Sequence, residues 1–293
     1  MKKMWKRLAS MMAITLAVPV TSVQAQQAAP AAVATYSMPS TQMWEIPSDG
    51  GEIYRIMVSY PKGEPPADGY PVLYVLDGNA YFASFAETRR LLEYYDRGNA
   101  IVVGVGYPTD DAYDERRTAD FLYPVPTAKP PAEPKSSPRP ANTGRDKFLD
   151  FLTGKLRTEI GKRYKIDRDR QALFGHSFGG LFALHALYTR PDAFQSIVAA
   201  SPSLEWNTQH ILREEREFTA GLASGKTLRA SRLMLVVGDQ DVDDDPEPAR
   251  ALAGRLERLS GYGLSIRYRR YDDEIHITVP TRSVTDTLRF VLR

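Results

Sequence analysis

The residues with most chemical content are Gly175-His176-Ser177-Phe178-Gly179, followed by Gly180. A serine becomes a nucleophile when a tight strand-to-helix turn lifts its hydroxyl above a sheet. The surroundings fit that turn. Apolar Gln171–Gly175 reads as a buried strand, and Leu181–Tyr188 reads as the helix packed beneath it. The turn needs small neighbours, because side chains at Gly175 and Gly179 would meet the approaching backbone. Ser177 is therefore the candidate nucleophile, with an ordinary serine in a glycine-rich turn as the plain alternative.

Serine requires a base, and the chain has only four histidines. His176 sits inside the turn, where it packs or orients locally. His185 lies in the following helix and projects from the scaffold, and His210, among charged residues, reads as surface. His276 follows the last expected strand in RYRRYDDEIHITVP, immediately before a terminal helix, where a loop reaches over the carboxyl end of a sheet. It is the candidate general base, taking the proton of Ser177 and returning it to the leaving oxygen.

An orienting acid normally falls between serine and histidine in such a chain order. The segment DQDVDDDPE offers several, with Asp241 first by its offset from Gly238 and Asp239 and Asp243 next. A serine–histidine dyad without a close carboxylate stays open. Solvated surface is the bland reading of the acidic run, and its spacing is not that of a calcium-binding loop. No metal site is expected. In VLYVLDGNAYF a strand ends at Asp77-Gly78-Asn79, and the backbone N–H of Asn79, with that of Phe178, is the candidate oxyanion hole.

Positioning these groups takes a sheet covered on both faces. Candidate strands are Gln42–Ile46, Ile53–Ser59, Val72–Leu76, Ala100–Val105, Ala172–Phe174, Ser196–Ala199, Leu233–Val237 and Ser265–Tyr271. Runs such as IVVGV and LMLVV are apolar at successive positions, the mark of parallel strands between helical layers. Phe148, Phe151, Leu152, Leu156 and Ile160 form a helical stripe. Further helices are expected at Leu181–Leu187, Ala249–Leu259 and Val279–Leu292. The order predicts a doubly wound α/β domain with a mostly parallel sheet over residues 40–293. It is interrupted at about residues 121–143 by a proline-rich surface excursion near the substrate opening.

The chain has 293 residues, 43% hydrophobic and 25% charged, enough for one large core. Its calculated pI near 8.6 reflects its beginning. Lys2, Lys3, Lys6 and Arg7 precede an apolar stretch from Leu8 to about Val20, with small residues ending at Ala25 and no acid before it. This is the pattern of a signal peptide at residues 1–25, followed by a disordered lead at 26–39. The stretch is shorter than the roughly 20 apolar residues a membrane helix needs. Beyond it the chain carries 34 basic and 36 acidic residues, which excludes nucleic-acid binding by overall basicity. Arg267, Arg269 and Arg270 read as the polar face of an edge strand. With no cysteine, disulfides and thiolate chemistry are excluded. Arg116, Arg117, Lys129, Lys135 and Arg139 form a candidate basic rim for an anionic substrate, the alternative being that Arg117 pairs with Asp120.

These segments resemble the esterase D-like branch of α/β-hydrolases, and within it the periplasmic siderophore esterases that open enterobactin and salmochelin trilactones. The similarity runs from about Thr41 through VLYVLDGNAYF, IVVGVGYP, ERRTADFLYP, FGHSFGGLFALHALYTRPDAF and AASPSLEW to the His276 region. It implies the α/β-hydrolase fold, Ser177 as nucleophile, His276 as base and the Asn79 and Phe178 amides as oxyanion hole. Arg117, Asp120 and Trp206 match residues near the site of that branch and are the implied substrate-binding set. One departure is Glu205, which stands before Trp206 where the branch often carries a second tryptophan. The expectation is an exported, periplasmic or secreted, serine esterase that needs no cofactor, has no integral membrane domain and binds no nucleic acid. Its partner is a small ester, specifically a ferric or apo catecholate siderophore. Alternatives are a general carboxylesterase or acyltransferase acting on feruloyl or acetyl esters, and a catalytically silent ligand-binding protein on the same fold.

Overall fold

The computed structural model describes residues 36–123, 144–225, 228, 231–241 and 246–292. The expected signal peptide, most of the expected lead, most of the proline-rich segment with Lys129, Lys135 and Arg139, and Asp243 lie outside the described residues. Eight strands form one sheet: β1 (Thr41–Pro47), β2 (Ile53–Ser59), β3 (Tyr70–Leu76), β4 (Ile101–Gly106), β5 (Ile166–His176), β6 (Ser196–Ala200), β7 (Arg232–Gly238) and β8 (Ser265–Tyr271). Their spatial order is β1-β2-β4-β3-β5-β6-β7-β8. The β1–β2 and β2–β4 pairs are antiparallel and the remaining five are parallel. This is the mostly parallel α/β sheet expected from the βα order, and the α/β-hydrolase architecture that the resemblance implies.

The successive apolar residues of β3, β4 and β6 are buried at every position. Alternation decides which layer each one meets. Tyr74 and Leu76 share a cluster with Phe182 and Leu187, whereas Leu73 and Val75 share one with Phe85 and Leu288. β8 lies at the sheet edge, which explains its mixed sequence SIRYRRY. The helices are α1 (Gly78–Leu92), α2 (Arg117–Phe121), α3 (Gly144–Phe151), α4 (Arg157–Arg163), α5 (Phe178–Thr189), α6 (Thr208–Ala223), α7 (Pro246–Glu257) and α8 (Val279–Val291). Between α3 and α4 the chain forms a π turn at Leu152–Leu156, so the expected stripe is helical but not uniformly α. All five stripe residues are buried.

Helix α5 is buried from Gly179 through Tyr188, and it follows β5 with only Ser177 between them. That junction explains the glycines, with one revision. A Cβ on Gly175 would overlap the carbonyl oxygen of Gly179, whereas a Cβ on Gly179 would find its nearest neighbour, Asp77 Oδ2, at 3.5 Å, an ordinary contact. The tighter second position is Gly180, where a Cβ would lie 3.0 Å from Pro202 Cα and 3.1 Å from Ala200 O. Gly175→Ala is therefore expected to destabilise the fold by about 3 kcal/mol or more, and Gly179→Ala by less than about 1 kcal/mol. Urea unfolding midpoints of the two variants check this contrast, and equal midpoints would contradict it.

Candidate active site

The polar residues singled out in the sequence gather at the carboxyl ends of the parallel strands, where connecting loops meet in open α/β sheets. Ser177 caps α5 with φ 57° and ψ −118°, a strained conformation for a non-glycine residue. Its N–H donates to Ala200 O at 3.0 Å and its carbonyl accepts from Leu181 N at 3.1 Å, so β6 and α5 jointly hold the turn. The Ser177 hydroxyl lies 3.1 Å from Ser203 Oγ. Ser203 belongs to the Ser-Pro-Ser turn after β6, and nothing in its residue type marks it in the sequence.

His276 lies in the loop between β8 and α8. Its Nδ1 is 3.2 Å from Asp241 Oδ2, and that carboxylate side chain is fully shielded from solvent. A carboxylate can only accept, so Nδ1 carries the proton and Nε2 is left as the basic nitrogen. Asp239, the second candidate, follows β7 directly and donates its backbone N–H to Tyr271 O at 3.0 Å. The base loop crosses directly over β7: Gln240 N donates to Glu274 O at 3.1 Å, and a Cβ on Gly238 would overlap that same carbonyl. Gly238 is thus required by a close approach that the sequence alone does not display.

His176 ties the turn to the base loop. Its Nε2 donates to the His276 carbonyl at 2.9 Å, the two rings are 4.5 Å apart, and its Nδ1 accepts from Tyr81 Oη at 2.8 Å. Tyr81 in turn accepts from the half-exposed Tyr113. Burial, reinforced by the neighbouring His276, pushes the His176 pKa down to about 3, so this ring is neutral wherever the enzyme would work. It is a packing and orienting group, as its place in the turn suggests.

The two candidate oxyanion donors begin helices. Asn79 is in the first turn of α1 and Phe178 opens α5, positions whose N–H groups have no acceptor within the helix. The Asn79 side chain is occupied elsewhere: Oδ1 accepts from Tyr107 N at 2.8 Å, and Nδ2 donates to Thr109 O at 2.8 Å, pinning the loop after β4.

The three residues implied to bind substrate have different surroundings, though Arg117 and Trp206 both lie against Phe178. Arg117 does not pair with Asp120; it grips Asp77 through Nε to Oδ1 at 2.8 Å and Nη2 to Oδ2 at 2.9 Å. Asp120 is buried and accepts from Tyr54 Oη at 3.1 Å and Tyr107 Oη at 3.0 Å. Trp206 is 48% exposed and packs edge-on against Phe178, centroids 4.9 Å apart. Arg116 of the expected rim lies over the Tyr54 and Tyr107 rings and donates to Ile53 O.

Burial raises the Asp120 pKa to about 6, against the two tyrosine hydrogen bonds that favour its charge. The folded carboxyl therefore keeps its proton to higher pH than the unfolded one, and stability falls as pH rises from about 4 to about 6. Asp120→Asn removes that cost and keeps an acceptor for the tyrosines. It is expected to gain about 2–3 kcal/mol over wild type at pH 8 and nothing near pH 3.5. Denaturant midpoints at the two pH values check it.

His185 and His210 sit away from this cluster, and His210 is not at the surface. Both are buried, at 3.0 and 3.2 Å from Glu214 Oε1, and Arg145 Nη2 reaches the same oxygen at 2.9 Å. Tyr123 stacks on the His210 ring at 4.0 Å. The charged neighbours of His210 suggest solvent because their partners come from α3 and α5, remote in sequence.

Comparison with known proteins places this geometry. Residues 48–272 match the Esterase family. The chain is 34% identical over 265 residues to the ferri-bacillibactin esterase BesA of Bacillus subtilis, covering 88% of this chain and 91% of that protein. It is 39% identical over 191 residues to a siderophore enterobactin esterase of Emericella nidulans, covering 61% and 63% of the two chains. Among solved structures, the BES protein from Bacillus cereus superposes with a TM-score of 0.78 at 34% identity, covering 89% of this chain and 98% of that one. By the family match over residues 48–272 and the 34% identity across most of both chains, the chain belongs to the Esterase family of α/β-hydrolases.

Proposed function

We propose that the protein is an exported serine esterase that opens the ester backbone of catecholate siderophores. Ser177 Oγ attacks the ester carbonyl while His276 Nε2 takes its proton and Asp241 holds the Nδ1–H side of the ring. The carbonyl electron pair moves onto oxygen, where the Asn79 and Phe178 amides receive it. Collapse of the tetrahedral intermediate expels the alcohol, which leaves with the proton from His276, and Ser177 is acylated. Water, deprotonated by His276, then releases the acid and restores the serine.

The observation that carries the substrate class is the near full-length similarity to a ferri-bacillibactin esterase. The exposed Trp206 ring beside Phe178 supports it, since it offers a flat apolar face to a catechol ring. Export rests on the leader ending near Ala25. Among the described residues no helix is long and apolar enough to cross a membrane.

Mass-resolved hydrolysis of apo and ferric enterobactin by the mature protein tests this reading, with p-nitrophenyl acetate and a feruloyl ester in parallel. Linear products that depend on Ser177 are expected from the trilactone. An untouched trilactone beside rapid turnover of the simple esters would make the protein a general carboxylesterase. Siderophore binding without cleavage, unchanged in Ser177→Ala, would make it a silent binding protein.

A further inference from the structure

Two residues before the candidate oxyanion amide of Asn79, the chain is under unusual constraint. Asp77 adopts φ 50° and ψ 49°, the left-handed region, and its carboxylate is wholly buried. Its carbonyl accepts from Ala80 N at 2.9 Å and Tyr81 N at 3.2 Å, so it also starts α1. A left-handed residue at this point fixes the direction in which the Gly78 and Asn79 N–H groups emerge. Gly78 has no freedom to compensate, since a Cβ there would lie 2.8 Å from Gly104 C and Val105 N.

Arg117 supplies what the buried carboxylate lacks. Its two hydrogen bonds to Asp77 are parallel and bidentate, the geometry that fixes both partners in direction as well as distance. The same guanidinium lies 5.3 Å from the ring centroid of Phe178, the residue that carries the second candidate donor. The Asp77 carboxylate also borders Gly179, where a Cβ would stand 3.5 Å from Oδ2. One arginine from α2 therefore touches both halves of the hole, and its charge is matched within the protein. Tyr113 and Phe121 rings, each 5.3 Å from the guanidinium carbon, complete its cage.

We propose that Arg117 and Asp77 form a buried clamp that sets the oxyanion hole, so that Arg117 is a positioning residue for the transition state and not a cation that binds anionic substrate. The proposal rests on the serine-esterase reading above. The two roles for Arg117 make opposite predictions. A clamp acts on every ester alike, because the oxyanion forms whatever the substrate's charge. A substrate cation acts only on anionic esters and through KM.

The test compares wild type, Arg117→Lys and Asp77→Asn on neutral p-nitrophenyl acetate and on anionic mono-p-nitrophenyl succinate. Phosphorylation by the neutral reagent diisopropyl fluorophosphate, in which Ser177 Oγ displaces fluoride and gives up its proton to His276, is timed alongside. Lysine keeps the charge that Asp77 needs, and asparagine keeps both the shape and the tolerance for left-handed backbone, so each variant retains a packed site. Both variants are expected to lose kcat by about 10²-fold on the two esters equally, with KM within about threefold and phosphorylation slowed in parallel. The clamp is overturned if kcat on the neutral ester holds in both variants. A KM for the anionic ester that rises in Arg117→Lys and falls in Asp77→Asn, where the arginine is set free, would make Arg117 the substrate cation instead. A wild type that neither hydrolyses the esters nor takes the phosphoryl group overturns the serine-esterase reading itself, and the clamp with it.

Discussion

Ser177→Ala is expected to lower kcat for ester hydrolysis by about 10⁴- to 10⁶-fold while leaving the fold in place. The expectation follows from the position of the hydroxyl: it is the half-buried tip of a strained turn between β5 and α5, and the chain has no cysteine to substitute for it. Removing Oγ deletes one hydrogen bond, to Ser203, and leaves the backbone bonds to Ala200 and Leu181 intact. The unfolding midpoint should therefore shift by no more than about 1 kcal/mol. Residual hydrolysis above background would come from the amides and from substrate binding alone. Full activity in this variant would mean a different nucleophile.

His276→Ala is expected to cost as much as the serine, and the double variant Ser177→Ala/His276→Ala no more than either alone. Nucleophile and base act in one step, so once either is lost the other has nothing to contribute. Asp241→Asn should cost less, about 10²- to 10⁴-fold, because it leaves the base present but removes the carboxylate charge and lets an amide N–H face Nδ1, which favours the wrong tautomer. Steady-state kcat values for the four variants check both the order and the non-additivity. Independent, multiplying losses would place Ser177 and His276 in separate steps.

Much of this was readable because the relevant physics is local. Successive apolar residues in IVVGV mark a strand buried on both faces, and the mixed SIRYRRY marks an edge, and both stand where expected. The elbow is also local, since a glycine two positions before Ser177 answers to a carbonyl four residues later. His276 is a candidate by elimination and by its place between the last strand and the last helix, and the folded chain sets it beside Asp241. What escaped depends on contacts between distant segments. Arg117 has Asp120 three positions away, yet pairs with Asp77, 40 positions removed. Gly238 is constrained by Glu274, and His210 is buried by partners on α3 and α5. Composition and spacing carry no record of such pairs; only the folded sheet brings them together.

The most direct test is rapid-quench mass spectrometry of the wild-type protein during turnover of a chromogenic ester. The serine-esterase mechanism predicts a transient mass increase equal to the acyl group, formed before free acid accumulates and mapped to the peptide containing Ser177. An acyl group mapped elsewhere, or free acid accumulating at the full rate with no acylated protein at any time, would contradict it.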